Sequence, residues 1–201
     1  MKGLYLVTPD WDDTDALLAA SDAALAGGAV LLQYRHKTAS DALRREQAEA
    51  LLRLCRQHDV PFIINDHLEL CRELDADGLH VGGTDASVAA VRAALGADKL
   101  IGASCYGDLQ LARDAAANGA SYVAFGGFYP SRVKKYDVST PVDIVSRARA
   151  ELSVPVCVIG GMTAENAVPL VQEGCDLVAA ISSVYQSADP RMAAQAFVRL
   201  F

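Results

Sequence analysis

Pro61-Phe62-Ile63-Ile64-Asn65-Asp66 and, one helical interval later, Gly78-Leu79-His80-Val81-Gly82-Gly83-Thr84-Asp85 decide how this chain reads. Each is a short apolar run that delivers a carboxylate. Four or five apolar residues closed by polar ones form a strand buried on both faces, and the helical pattern around Leu68 to Leu74 makes the two strands parallel neighbours. Asp66 and Asp85 then stand at equivalent strand ends. Carboxylate oxygens about 4 Å apart repel by roughly 4 kcal/mol at an effective dielectric of about 20. Either one carboxyl takes a proton or a divalent cation lies between them, and carboxylates without imidazole or thiolate neighbours suit Mg2+ better than a transition metal.

Working outward, the same unit recurs along the chain. Before it come strand Leu4 to Thr8 with helix Asp15 to Ala26, and strand Val30 to Tyr34 with helix Asp41 to His58. The quoted stretch supplies strands Phe62 to Ile64 and Gly78 to Val81, with helices Leu68 to Leu74 and Ser87 to Leu95. After it follow strands Leu100 to Ala103, Tyr122 to Phe125, Val156 to Ile159 and Leu177 to Ile181. Their helices run Leu109 to Ala117, Val142 to Ala150, Ala164 to Glu173 and Arg191 to Leu200. Eight short, apolar, β-branched strands alternating with helices predict a TIM (β/α)8 barrel. An open doubly wound sheet uses the same alternation, but its phosphate turn belongs after the first strand, where this chain has Thr8-Pro9-Asp10.

A chain of 201 residues with 52% hydrophobic content can bury one sizeable core, so residues 1–201 are expected to form a single domain. A net charge of -7, spread along the chain, gives no footprint for nucleic acid or an anionic membrane. Met1-Lys2-Gly3 passes straight into Leu4-Tyr5-Leu6-Val7 with no leader pattern or spanning run, and the expectation is a cytoplasmic protein. Cys55, Cys71, Cys105, Cys157 and Cys175 contain no Cys-x-x-Cys pair and read as core residues in a reducing compartment. Cys105 follows a strand but has no nearby histidine to activate it as a nucleophile. His80 lies inside a strand and reads as a hydrogen-bonded core histidine.

A barrel works at the C-terminal ends of its strands. There, Gln33, Arg35 and Lys37 alternate and share one face if the second strand persists to that point. Three donors beside two carboxylates favour an anionic ligand. Ile159-Gly160-Gly161 and Ile181-Ser182-Ser183 follow the seventh and eighth strands, where barrels bind phosphate through backbone N–H groups. The connection after the sixth strand, Gly126 to Lys135, is the longest and most cationic, and reads as a lid over that rim.

With these motifs in order, the chain resembles the thiamine-phosphate synthase family over essentially its whole length. The resemblance rests on Tyr5-Leu6-Val7-Thr8, Gln33-Tyr34-Arg35-His36-Lys37, Ile64-Asn65-Asp66, His80-Val81-Gly82 with Asp85, and Gly102-Ala103-Ser104. It continues through Phe128-Tyr129-Pro130-Ser131, Lys134, Ile159-Gly160-Gly161-Met162-Thr163 and Ile181-Ser182. It implies a Mg2+-dependent transferase. The substrates would be 4-amino-2-methyl-5-hydroxymethylpyrimidine diphosphate and a 4-methyl-5-(2-phosphoethyl)thiazole or its carboxylated form, and the products thiamine phosphate and diphosphate. By position, Asp66 and Asp85 would hold the metal. Gln33, Arg35, Lys37, Asn65, Ser104 and Lys134 would hold the pyrimidine diphosphate, with Lys134, Arg35 and Ser104 closest to the chemistry. Ser131, Arg132, Val133, Gly161, Ile181 and Ser182 would contact the thiazole phosphate. Val133 departs from the hydroxyl residue common there, and His67 from an acidic one. Partners would be these small molecules, with a homo-oligomer compatible. Two rivals remain. A thiazole tautomerase-like isomerase of the same fold typically lacks the carboxylate pair, and a non-catalytic phosphate-ligand binder would need no leaving-group apparatus.

Overall fold

The computed structural model describes residues 1–82, 87–130 and 140–201. Strands β1 (Gly3–Val7), β2 (Leu31–Tyr34), β3 (Phe62–Asn65), β4 (Gly78–Val81), β5 (Leu100–Tyr106), β6 (Tyr122–Gly126), β7 (Val156–Ile159) and β8 (Leu177–Ala180) pair in chain order, all parallel. The sheet closes because β8 returns to β1, with Gly3 opposite Leu177 and Leu6 opposite Ala180. Helices α1 (Thr14–Ala26), α2 (Asp41–Gln57), α3 (Leu68–Glu73), α4 (Val88–Leu95), α5 (Leu109–Ala117), α6 (Ile144–Glu151), α7 (Val168–Gln172), α8 (Ser182–Tyr185) and α9 (Pro190–Val198) cover it. This is the expected TIM barrel. No helix among the described residues is long and apolar enough to cross a membrane.

Strand alternation divides the core in two. Tyr5, Val7, Leu31, Ile63, Tyr122, Cys157, Leu177 and Ala179 pack together inside the barrel. Their sequence neighbours Leu4, Leu6, Leu32, Phe62, Ile64, Val123, Val158 and Val178 face the helices. Because both faces are buried, each strand reads as an unbroken apolar run. Helix starts follow from capping: Asp13, Ser40, Ser87, Asp108 and Asp189 each accept a first-turn N–H that has no partner within the helix.

The barrel floor shows a recurring device. Asp77, Ser121 and Asp176, each just before an even-numbered strand, accept the N–H of Phe62, Ile101 and Val156 at the start of the preceding odd one. Arg92 on α4 adds a further tie. Its guanidinium donates to the carbonyls of Gly96, Lys99 and Gly119 and to Ser121 Oγ, joining the ends of α4 and α5 to β5 and β6.

Several elements can be set against the expected boundaries. β5 continues to Tyr106 through a register shift opposite β6, and Tyr106 sits at φ 53°. β2 stops at Tyr34. α7 starts at Val168 rather than Ala164, because Thr163 and Asn166 exchange side-chain bonds with each other's backbone N–H in place of a helical turn. α8 is a short helix that the sequence pattern did not predict.

Arg92 lies at the end of the barrel away from the strand C-termini and fans several donors that one ammonium cannot reproduce. Arg92→Lys is therefore expected to lower unfolding free energy by roughly 2–3 kcal/mol, the scale of losing charge-assisted bonds. Urea denaturation measures this, and an unchanged midpoint contradicts it.

Candidate active site

The rim is built first at the ends of β1 and β2. Thr8 is fully buried and brackets residue 35 in both directions: its Oγ1 accepts from Arg35 N at 2.8 Å and donates to Arg35 O at 2.9 Å. Those bonds occupy the backbone where β2 would otherwise continue. Asp10 then accepts from Arg35 Nη1 at 3.2 Å and from Lys37 N at 2.9 Å, while Asp12 pairs with His36 Nε2 at 3.1 Å. Arg35 side chain is thus buried and oriented before any ligand arrives. The shared face expected for Gln33, Arg35 and Lys37 needs correcting, since β2 ends before the last two. Gln33 and Arg35 line one central cavity, whereas Lys37 lines an adjoining one with Asn65 and Asp66.

At the end of β3, Asp66 leaves the sheet at φ 61°, a left-handed conformation that Asp tolerates better than most residues. Its N–H still bonds His80 O on β4 at 2.9 Å. Its carboxylate meets Lys37 Nζ at 2.9 Å, Asn65 Nδ2 at 2.6 Å and Gly82 N at 3.2 Å. An oxygen donor without imidazole or thiolate on the same atoms fits a hard dication. His67 lies beside it, and burial, then the nearby Arg44 guanidinium, hold its imidazole below the usual range, hence neutral at pH 7. Among the described residues, no group of three or more His, Cys, Asp or Glu side chains could hold a metal. Asp85, the second expected ligand, lies outside the described residues.

Across the barrel axis, Gln33, Tyr5, Tyr122, His80 and Ser104 form a continuous buried chain of hydrogen bonds. His80 is thus a hydrogen-bonded interior histidine, as expected. Gln33 and Ser104 at its ends, with Tyr5 and His80 between them, line the same central cavity.

A second pocket adjoins it over β5 to β8, bordered by Ser104, Tyr106, Tyr129, Gly160, Gly161, Met162, Ile181 and Ser182. Gly161 sits at φ 63°, and a Cβ there would lie 2.4 Å from Pro130 O, so glycine lets the β6 and β7 loops meet. Asn166 Nδ2 holds Gly161 O at 2.9 Å, and Tyr129 Oη holds Asn166 O at 2.7 Å. Gly161, Ile181 and Ser182 are brought together as expected. Ser131, Arg132, Val133 and Lys134, with the lid reading that depends on them, lie outside the described residues.

Sequence reasoning passed over Asp10 and Thr8 as supports, and Tyr5 and Tyr122 as polar groups. Asp10 did carry a signal, being a carboxylate at a strand end like Asp66. The two tyrosines carried none beyond their place in apolar runs.

The sequence model of the family described as thiamine monophosphate synthase matches residues 4–184. The chain is 66% identical over 201 residues to a thiamine-phosphate synthase of Janthinobacterium sp. (strain Marseille), covering all of this chain and 97% of the relative. It is 49% identical to the thiamine-phosphate synthase of Azoarcus sp. (strain BH72), again over the whole chain and 98% of the relative. Among solved structures, thiamine phosphate pyrophosphorylase from Pyrococcus furiosus superposes with a TM-score of 0.87 at 27% identity, over 98% of this chain and 94% of that one.

All five cysteines are buried, and burial pushes the Cys105 thiol up to about 12, with Cys55 and Cys175 similar and Cys71 at about 11. A thiolate at Cys105 is therefore scarce at neutral pH, which removes it as a nucleophile. In the unfolded chain the same thiols ionise near 9.0, so unfolding is favoured progressively as pH rises from there toward 12. At pH 8 a disulfide reagent is expected to leave the native protein unlabelled for hours and to titrate five thiols in denaturant. Rapid native labelling would contradict this.

Proposed function

The chain belongs to the thiamine monophosphate synthase family, and from that membership we propose that its rim holds a pyrimidine diphosphate over β2 to β5 and a thiazole phosphate over β6 to β8. The enzyme condenses 4-amino-2-methyl-5-hydroxymethylpyrimidine diphosphate with 4-methyl-5-(2-phosphoethyl)thiazole, or its carboxylated form, giving thiamine phosphate and diphosphate. The observation that carries the site assignment is the gathering of Arg35, Lys37, Asn65 and Asp66 at neighbouring strand ends, next to a pocket closed by Gly161 and Ser182.

On this reading the C–O bond to diphosphate breaks first, leaving a methylene cation stabilised by the pyrimidine, which the thiazole nitrogen captures. No nucleophilic side chain is required, consistent with the protonated, buried Cys105. Arg35 and Lys37 meet the charge that grows on the leaving group, Ser104 and Gln33 hold the ring, and the adjacent pocket aims the thiazole. Asp66, with Asp85 by the family resemblance, would hold Mg2+, which when bound neutralises charge on the diphosphate. Lys134 is assigned to the same diphosphate, and Ser131, Arg132 and Val133 to the thiazole phosphate, on that resemblance alone. The isomerase rival is disfavoured by a carboxylate seated beside the cations assigned here to the diphosphate.

Diphosphate release is expected only with both substrates and Mg2+ present, and chelation should abolish it reversibly. Release at full rate without the thiazole phosphate would make the protein a hydrolase, and none under any condition would leave a binder. Asp66→Ala should lower turnover by about a hundred- to a thousandfold, the scale for removing one electrostatic stabiliser of a transition state, with the circular dichroism spectrum unchanged. Arg35→Ala should raise the requirement for the pyrimidine diphosphate far more than for the thiazole phosphate. Equal effects on both substrates would place Arg35 elsewhere.

A further inference from the structure

The polar chain inside the barrel has a direction. Gln33 Nε2 donates to Tyr5 Oη at 2.5 Å, Tyr5 Oη lies 2.6 Å from Tyr122 Oη, Tyr122 Oη 3.0 Å from His80 Nδ1, and His80 Nε2 2.9 Å from Ser104 Oγ. Tyr5 and Tyr122 are buried, so each phenol must place its one proton on a neighbour. Tyr5 already receives a proton from Gln33, so its own goes to Tyr122. Tyr122 in turn sends its proton to His80 Nδ1. An imidazole accepting at Nδ1 carries its proton at Nε2, and that proton points at Ser104 Oγ. Ser104, having accepted, has its own hydroxyl proton left for the cavity. At the other end, Gln33 spends one of its two amide N–H groups on Tyr5, and its carbonyl is the acceptor it has left to offer.

We propose that this relay makes Gln33 an acceptor and Ser104 a donor toward the ligand, so that Tyr5, Tyr122 and His80 are positioning residues that select an aminopyrimidine edge. The inference rests on the reading of the central cavity as the pyrimidine site. An aminopyrimidine offers an exocyclic N–H donor next to a ring nitrogen acceptor, the complement of the two ends. A pyrimidinone offers a carbonyl acceptor and a ring N–H donor, the reverse. Reversing the relay requires the Gln33 amide to turn and His80 to change tautomer together, because any partial change leaves a buried phenol proton without an acceptor or puts two protons on one bond. Burial also holds both phenols well above their ordinary range, so the number of protons in the chain stays fixed at neutral pH. Gly102 makes the crossing possible, since a Cβ there would lie 2.1 Å from Tyr122 Cζ and 2.5 Å from His80 Nδ1.

The test measures binding by calorimetry, with Mg2+ and without the thiazole phosphate, of the aminopyrimidine diphosphate and of the same molecule with an oxo group in place of the amine. The wild-type protein should prefer the amine by at least about a hundredfold, as polar sites do against a mismatched partner. Tyr122→Phe and Tyr5→Phe each keep the ring and remove one link. Both should bind the amine about tenfold more weakly and retain only a few-fold preference, while affinity for inorganic diphosphate stays at the wild-type value. Nitrogen-15 spectra of the wild-type protein should show His80 protonated at Nε2 and bare at Nδ1. Wild-type protein that binds neither pyrimidine sinks the reading of the site, and the ligand assigned to the relay falls with it. Binding with full selectivity retained in both variants, or a His80 proton on Nδ1, overturns the relay while leaving that reading intact.

Discussion

Closure of β8 onto β1 leaves an interior with room for side chains and little else, so any polar group placed there must be satisfied by another side chain. The constraint acts unevenly along the axis. Leu31, Ile63 and Leu177 fill the interior where the strands begin, and no polar question arises there. One layer up, Gln33, Tyr5, Tyr122 and His80 bring four polar heads into the same cross-section, and they meet one another at hydrogen-bond distance. The core therefore turns from apolar to polar at the level where the cavity opens. The floor of the site is thus the top of the packed barrel, and the groups that touch a ligand inherit the rigidity of that packing.

The rim uses the complementary strategy of loops fastened by side chains from the neighbouring unit. Thr8 holds residue 35 through two bonds, Asp10 takes both Arg35 and the backbone of Lys37, and Asp12 takes His36. Across the barrel, Asn166 and Tyr129 do the same for Gly161. Ordering these segments costs conformational entropy during folding and so spares that cost when a ligand binds. A loop made of charged residues can in this way hold a defined geometry in water.

How much of this the chain declares in advance depends on whether the cause is local. The eight strands were legible because burial on both faces leaves a continuous apolar signal, and the helices because capping residues and apolar spacing mark them. Asp66 was legible as a strand-end carboxylate, and Cys105 as an inert core thiol. The end of β2 at Tyr34 was legible as well, but the Thr8 hydroxyl that takes over the backbone of residue 35 was not, since Tyr34-Arg35-His36-Lys37 alternates as a strand would. Tyr5 and Tyr122 are 117 residues apart and each sits in an apolar run, so nothing nearby distinguishes a relay member from a packed aromatic ring. α8 and the extension of β5 depend likewise on neighbours distant in sequence. Asp85 and residues 131–134, on which the second metal ligand and the lid depend, are outside the described residues.

The charge arrangement at the rim has a consequence for how the proposed ligands would arrive. Lys37 is held by Asp66, and Arg35 by Asp10, so both cations assigned to the diphosphate already have carboxylate partners. The two pairs differ in what they can exchange. Asp66 would be the carboxylate that receives a dication, and a dication there competes directly with the Lys37 ammonium for the same oxygens. Displaced from Asp66, that ammonium would become a donor for an incoming phosphate, while a phosphate that captures Lys37 would remove the one cation that pairs with Asp66 among the described residues. On the proposed reading each ligand would remove the group that opposes the other, which would couple their affinities positively. Asp10 has no such role, because it also bonds the backbone N–H of Lys37 and would stay in place. It occupies one nitrogen of Arg35 and leaves the rest of the guanidinium fork free to turn toward the cavity. One carboxylate would exchange its partner during binding, and the other would keep the geometry in which that exchange takes place.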